Sequence, residues 1–477
     1  MRELSGLAVP VDRLMHRDPV TIVADADLRQ AARRMREQRI SCLPVVSGDS
    51  VVGILTLRDL RNWLADAEGC DPPPVAERMS APVIALRPGD SGVDALLSMV
   101  RHGISHLPIL DGGKLVGILT HSDFVRRQAS SALFMVADIA HCDDLPALQN
   151  AVAALPQLLV QLVEGGVDPV ATGRLITSVA DAVTRRLLSI AQRDLGPAPI
   201  PWTWAACGSQ GRQEQTGVSD QDNCLILGDT YDAQAHGAYF SALARQVCDG
   251  LNACGYVYCP GEMMAVTPRW RQPLGVWRSY FRQWIDQPDP RAQMLASVMF
   301  DLRAIDGSAA LLDALQEDTL VRARASTIFQ AHMASNALTH RPPLNWFGGL
   351  HPAWRGAHAG RLDLKHAGVV PIVDLARLYA LQVGAAAVNT VERLAAATQG
   401  SSISQEGLRD LTEALDVISR VRLRHQAQQV RAGGKPDNWL IPRELAALER
   451  AHLRDALRVV KTQQAALSNH YGISARV

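Results

Sequence analysis

Ser41-Cys42-Leu43-Pro44-Val45 returns as Ser105-His106-Leu107-Pro108-Ile109, and Val52-Gly53-Ile54-Leu55-Thr56 returns as Val116-Gly117-Ile118-Leu119-Thr120. Each pair is separated by 64 residues, and Met15/Met79 and Asp59/Asp123 keep the same offset. Two copies at this spacing mean a duplicated domain and not a solenoid, which needs more and shorter units. In each copy the local reading is strand, helix, strand, strand, helix. Asp27 to Gln38 and Ser91 to His102 carry apolar residues at helical spacing, and Gly-Asp-Ser and Asp-Gly-Gly turns split the apolar runs into hairpins. Thr56 and Thr120 end a strand, with Asp59 and Asp123 in the first turn of the helix that follows. A hydroxyl and backbone N–H groups there can hold phosphate, and a carboxylate three residues on can accept from ribose hydroxyls. The same carboxylates could simply cap their helices.

The doubled Gly-x-x-Thr-x-x-Asp pattern resembles a CBS-domain pair of mixed α+β type, covering residues 8–128. The resemblance implies an adenine-nucleotide site between the copies, held by Thr56, Asp59, Thr120 and Asp123. It also implies association into a homodimer.

A chain of 477 residues exceeds one ordinary core, so further domains are expected. Lys+Arg and Asp+Glu both number 48, which leaves no global basic field to hold nucleic acid, although a local patch is compatible with the balance. Nucleic acid is therefore not the default partner. No stretch reaches 18 uninterrupted apolar residues, no signal-peptide pattern opens the chain, and the eight cysteines form no CxxC pair. These readings point to the cytoplasm, with no membrane partner. Residues 129–199 show helical spacing broken at Glu164-Gly-Gly-Val-Asp-Pro169 and read as a helical connector, with Asp181, Arg185 and Arg186 on its solvated face.

A second constellation carries the chemistry. Trp202 to Cys207 reads as a buried strand that stops at Gly208; Ser209 to Gln215 can open a short helix, and Val218 to Leu227 reads as another strand. Asp220 and Asp222, two apart on a strand, share one face, where paired carboxylates suit Mg²⁺ or Mn²⁺. A Gly208-Ser209 turn lets backbone approach a triphosphate, with Gly211 keeping the turn open and Arg212 offering positive charge.

Gly-Ser followed by Asp-x-Asp resembles the polymerase-beta-type nucleotidyltransferases. Gly208-Ser-x-Gly-Arg-x-Glu214 with Ser219-Asp-x-Asp222 is similar to the catalytic segment of the PII-protein uridylyltransferases. The resemblance implies an α/β catalytic domain over 200–309 and a helical bundle that binds substrate over 310–477. It further implies an NTP substrate, in-line attack on the α-phosphorus, and a protein acceptor. Ser209 would contact phosphate, and Asp220 and Asp222 would hold the metal. A third carboxylate usually completes such a site: Asp301, in apolar-flanked Met299-Phe-Asp-Leu-Arg303, is the first candidate and Glu262 the second. Asp301 could instead pair with Arg303 or Arg291. Lys365, in Leu362-Asp-Leu-Lys-His366, is a triphosphate contact by the same resemblance, with Asp363 to orient it; the alternative is a surface ion pair. Arg420, Arg422, Arg424 and His425 read as a solvated helix face. No HExxH or His-Asp pair marks a phosphohydrolase centre. A non-catalytic nucleotide-sensing protein is the competing reading, and an RNA-tailing enzyme is a third.

Overall fold

The computed structural model describes residues 10–38, 40–48, 50–66, 71–120, 130–288, 297–398 and 400–473. They form two compact units, one of residues 1–133 with 164–167 and one of 134–163 with 168–477.

In the first unit each copy builds a three-stranded sheet. Hairpin Cys42–Ser47/Ser50–Thr56 pairs Cys42 with Thr56, and hairpin His106–Asp111/Lys114–Thr120 pairs His106 with Thr120. Both ladders shift register at the same place, Val45/Val46 and Ile109/Leu110. Helices Leu28–Gln38 and Gly92–His102 bury one apolar face against them, with Leu28, Ala31, Leu96 and Met99 closed off from solvent. The copies complete one another. A Cβ on Gly53 would lie 2.3 Å from Met79 Sδ, and one on Gly117 would lie 2.2 Å from Met15 Sδ. Each glycine thus makes room for the methionine of the other copy, which is why Gly and Met recur at the same offset.

In the second unit a mixed sheet runs in the order Arg271–Pro273, Asn223–Leu227, Trp202–Ala206, Arg303–Gly307. Strand Trp202–Ala206 is buried along its whole length, as its apolar run requires for a central strand. Trp270, Trp277 and Trp284 pack with Phe281 against one side of it. Residues 134–163 and 168–199 of the stretch read as a connector pack as part of this unit: the long helix Pro169–Leu195 lies on helix Ala233–Ala253 and buries Leu175, Val179, Val183 and Leu187. Asp181 is a correction to the sequence reading. It is buried at 5 % exposure and receives Arg303 at 2.8 and 2.9 Å, so it belongs to the interior and not to a solvated face. Segment 145–164 turns at Ala153–Ala154 into helices Leu145–Val152 and Leu155–Glu164.

C-terminal to the sheet, helices Ala309–Ala325, Thr327–Ala337, Val370–Val383, Gln405–Arg431 and Ala447–His470 make the expected helical bundle. Its core is continuous with that of the sheet through Phe300, Phe329 and Leu375. One core for both halves fixes the bundle against the sheet, and the site described next lies on that junction.

Candidate active site

Strand Trp202–Ala206 ends at Cys207, and the short helix Gly208–Gly211 begins with Gly208 at φ 58°. The expected second strand is broken in two at Asp222. Asp220–Gln221 pairs with Val257–Tyr258, while Asn223–Leu227 pairs with Trp202–Ala206. The strand changes partners there, and the Asp222 carbonyl accepts from Cys207 N at 3.0 Å. Alternation does the rest. Gln221 and Asn223 turn inward, where Gln221 donates to the carbonyls of Cys248 and Tyr256 and Asn223 accepts from Ala265 N. Asp220 and Asp222 turn together to the other face. A Cβ at position 208 would meet Asp222 Oδ2 at 2.6 Å, so the glycine supplies both the left-handed backbone and the space for that carboxylate.

Ligand atoms of Asp220, Asp222 and Cys259 lie within 4.8 Å of one another, all three half-buried. Burial first, then the Asp220 charge, pushes the Asp222 carboxyl up to about 6, against a thiol hydrogen bond from Cys259 and the charges of Lys365 and Arg212. Burial and the Asp222 charge push the Cys259 thiol up to about 12, so without a metal it stands as a neutral S–H donor to Asp222. Two carboxylates whose mutual repulsion a cation would relieve fit a hard divalent ion such as Mg²⁺ or Mn²⁺.

Lys365 reaches this face from the bundle, with Nζ 3.7 Å from Asp220 Oδ1. It opens a π-helical turn, Lys365–Val369, between strand Leu362–Asp363 and helix Val370–Val383. Asp363 accepts from the backbone N–H of Lys365 and His366 at 2.9 and 3.0 Å and pairs with His366 Nδ1 at 2.8 Å. It therefore shapes the turn that carries the lysine and does not touch Nζ.

The structure brings Asp301 elsewhere. Its carboxylate is fully buried and accepts from Arg212 at 2.5 Å, Arg393 at 2.6 Å and Arg377 at 2.7 and 3.0 Å. Burial alone would raise its affinity for a proton, but the guanidiniums, Arg377 foremost, hold it well below the usual carboxylate range. Every one of these contacts is to arginine, so Asp301 sits as a shared counter-ion and not on the Asp220–Asp222 face. Its partners are also not those weighed from sequence: Arg303 is taken by Asp181, and Arg291 lies outside the described residues. Glu262 is exposed, at φ 55°, and outside the carboxylate–thiol group.

Arg212 is engaged on both sides, donating to Asp301 and, at 2.8 Å, to Glu214. Glu214 in turn accepts from Thr390 N at 2.7 Å, and Asn389 Nδ2 donates to the Arg212 carbonyl at 2.9 Å. The Gly-Arg-x-Glu motif is thus a clamp between the catalytic loop and helix Thr390–Ala396. Gly211 packs directly on the Asp301 carbonyl, which a Cβ would meet at 2.0 Å.

Against this clamp lies a cavity of ≈ 240 Å³ walled by Ser209, Gln215, Val218, Lys365, Val370 and Arg422 among others. Gln215 and Arg422 were not among the site residues expected from the sequence. Gln215 is 1 % exposed and neither its amide nitrogen nor its amide oxygen has a partner. Arg422, read as part of a solvated face, is buried, donates to Asn438 at 2.7 Å, and is brought down to about 10 by that burial. Its neighbours Arg420 and Arg424 do face outward, on Asp416 and Glu449. Arg422 falls seven residues after Leu415 and three after Ser419, on one helical face, and that period is the signal that could have set it apart; for Cys259, distant in sequence, there was none.

In the first unit Thr56 donates through N and Oγ1 to Asp59 Oδ2 at 2.8 and 2.7 Å, so this carboxylate caps its helix. Both also line a cavity of ≈ 250 Å³ shared with Ser80, Ile104 and His106 of the second copy. Thr120 ends its strand as expected, and Asp123 lies outside the described residues.

Comparison with known proteins finds three family models along the chain. Residues 11–66 and 75–130 match the CBS domain, residues 153–291 match "Putative nucleotidyltransferase DUF294", and residues 327–471 match "Putative nucleotidyltransferase substrate binding domain". The CBS domain-containing protein YhcV of Bacillus subtilis is 34% identical over 124 residues, 25% of this chain and 88% of that protein. Inosine-5'-monophosphate dehydrogenase of Mycobacterium tuberculosis is 40% identical over 114 residues, and the uncharacterized protein MJ1225 of Methanocaldococcus jannaschii 27% over 132. The chain spans only 21% of the former and 47% of the latter. A solved CBS-domain signal-transduction protein from Burkholderia ambifaria is 31% identical, covers 25% of this chain and 92% of its own, and gives a TM-score of 0.24.

Proposed function

We propose that this chain, which belongs to the CBS-domain proteins and joins its CBS pair to a DUF294-type nucleotidyltransferase region with its substrate-binding domain, transfers NMP from an NTP to an acceptor hydroxyl. The observation that carries the reading is the meeting of Lys365, from the helical half, with the Asp220–Asp222 face of the sheet half. A half-buried lysine 3.7 Å from a half-buried carboxylate gains only modestly from that ion pair alone. Its approach to that face supports a role as a triphosphate contact.

Asp220 and Asp222 would hold the divalent ion, which when bound supplies charge stabilisation at the attacked phosphorus and the leaving pyrophosphate. Gly208 keeps the backbone low enough for Asp222 to reach that face, and the Gly208-Ser209 turn offers N–H and hydroxyl donors to phosphate oxygens. Lys365 neutralises the triphosphate. The cavity beside Ser209 would take the nucleoside, with the unpartnered Gln215 amide as donor and acceptor toward a base edge, and with Val218 and Val370 excluding water. The Arg212–Glu214 clamp positions the loop and forms part of the wall of that cavity. By the similarity of Gly208-Ser-x-Gly-Arg-x-Glu214 to the PII uridylyltransferases the acceptor is a protein, and adenine nucleotide at the CBS cavity regulates the transfer.

The test is transfer of label from each α-labelled NTP, with Mg²⁺ or Mn²⁺, into a cell extract. Transfer should depend on the metal and vanish in Asp220→Ala/Asp222→Ala. Equal transfer by the double variant would sink the proposal. Tight NTP binding with no turnover under any condition would favour a signalling protein that uses the fold as a sensor.

A further inference from the structure

We propose that the loop region 341–361 and the helix Ala447–His470 together form a binding face for single-stranded nucleic acid. Acid and base balance over the whole chain, but no Asp or Glu occurs between Asp318 and Asp363, a stretch that carries Arg322, Arg324, Arg341, Arg355 and Arg361. The neutral total conceals a strongly one-signed segment.

Opposite that segment, Arg450, Arg454, Arg458 and Lys461 follow one another at intervals of four, four and three along the helix. Such intervals place side chains on one stripe with a rise of about 6 Å per step, a spacing that successive phosphates of one strand can follow. The helix is tied to the loop by Arg458 Nε, which donates to the Gly348 carbonyl at 3.1 Å. Two open cavities flank this tie. One of ≈ 650 Å³ is rimmed by Arg443, Arg450 and Arg454, and one of ≈ 960 Å³ by Arg341 and Lys461; no carboxylate lines either. Asp455 is the acid on the stripe, paired with Arg454 and Arg458 at 3.1 and 3.3 Å. Among the described residues, no hydrogen bond or ion pair occupies the side chains of Arg443, Arg450 or Lys461.

The second component is aromatic. Trp346, Phe347 and Trp354 are 90, 91 and 77 % exposed. Trp346 and Phe347 form the tip of a turn that is not slack: Leu344 bridges Leu350, Asn345 N donates to the Gly349 carbonyl and Gly349 N to Asn345 Oδ1, each at 2.8 Å. Arg355 covers one side of Trp354 at 4.2 Å. A tight turn that presents two rings to water, beside basic side chains at regular helical intervals, fits a ligand that repeats a negative charge and a flat ring. A single strand of nucleic acid is such a polymer, gripped through its phosphates and stacked through its bases. An acidic peptide matches the charge but leaves the rings without a stacking partner. The face is also fixed to the catalytic segment. His358 stacks on Trp439 at 3.8 Å, and Trp439 pairs in register with Asp363, two residues before Lys365.

The inference stands apart from the transfer reaction and is tested without it. Fluorescein-labelled U₁₂ and dT₁₂ are titrated with the full-length protein by anisotropy at 50 mM salt and upward. Micromolar binding is expected, with a log–log salt slope near −2 to −3 for about three or four neutralised phosphates. Trp346→Ala/Phe347→Ala should weaken binding by roughly tenfold or more, as loss of base stacking does. Arg450→Glu/Arg454→Glu should abolish it, and Asp220→Ala/Asp222→Ala should leave it unchanged. Circular dichroism of each variant establishes that it is folded. Absence of binding at 50 mM salt, or unchanged binding by Arg450→Glu/Arg454→Glu, overturns the proposal. So does equal affinity for poly-glutamate, which would make the face a site for acidic protein. Concentration-dependent dimers lost in Trp346→Ala/Phe347→Ala, with no oligonucleotide bound, would make it a contact between copies and overturn it as well.

Discussion

Replacing Asp301 by asparagine keeps its shape and removes its charge, and the consequence can be worked out from its surroundings. The carboxylate accepts four hydrogen bonds from three arginines, of which Arg377 and Arg393 have side chains only 4 and 3 % exposed. An Asn amide can accept on its oxygen alone, and its NH₂ would face a guanidinium. Two deeply buried cations would then lack a counter-ion, apart from Asp374 on Arg377 at 2.5 Å. Breaking one partner from such a group costs about 3–5 kcal/mol. Asp301→Asn should therefore unfold at markedly lower urea concentration than the parent at pH 7.5. The pH dependence has a definite sign. The folded carboxyl lies well below its ordinary 3.8, so its stabilisation is fully present above the unfolded value and fades as pH falls through the folded one. The gap between parent and variant should accordingly close below about pH 4. Arg393→Met in the Asp301→Asn background should recover part of the loss, because it removes a stranded charge. The assay is urea unfolding followed by circular dichroism at several pH values. If Asp301→Asn kept the parent's stability within about 1 kcal/mol at pH 7.5 while metal-dependent transfer disappeared, Asp301 would be a catalytic carboxylate and the counter-ion argument would be wrong.

Asp222→Asn should do the opposite to stability. The folded carboxyl is raised to about 6, so ionising it opposes folding as pH rises from about 4 to 6, and the amide should stabilise the metal-free protein by roughly 1–3 kcal/mol at pH 8 and not at pH 4. Thermal unfolding in EDTA measures this, and a variant less stable than the parent at pH 8 would refute it. Gly208→Ala combines a left-handed backbone with a Cβ 2.6 Å from Asp222 Oδ2; Mn²⁺ titration should show binding weaker by about 5- to 150-fold, for a strain of about 1–3 kcal/mol. Gln215→Leu removes a buried amide without partners and should leave stability unchanged or raised by about 1 kcal/mol. In nucleotide titrations and steady-state assays it should raise the KM for NTP, and an unaltered KM would remove the cavity from the nucleoside's path.

The duplicated unit and the carboxylate face were legible because short-range chemistry writes them. A register repeated at a fixed offset survives as sequence identity, and residues two apart on a strand share a side whatever the tertiary context. The bundle was legible from its period. The third carboxylate was not. An acid flanked by Met299, Phe300 and Leu302 reads the same whether it faces a metal or three arginines, and those arginines enter from positions 212, 377 and 393. Asp181 and Arg422 were misjudged for a related reason: a charge on a helix reads as solvated until the partner that permits its burial is known. Arg212 and Glu214 were visible as a motif, but the motif could not say that its charges are spent holding Asn389 and Thr390 in place. Lys365 was placed by resemblance, and its approach to Asp220 is geometry that no spacing encodes.

Met15 fills the hollow at Gly117, and Met79 fills the hollow at Gly53. This exchange limits how the two copies can change over generations. A larger residue at Gly117 is tolerable only if Met15 shrinks, although Met15 lies a hundred positions away and in the other copy. The duplicates are thus free to diverge on their outer surfaces and in what they bind, but not at these four positions, where each must be inherited together with its counterpart.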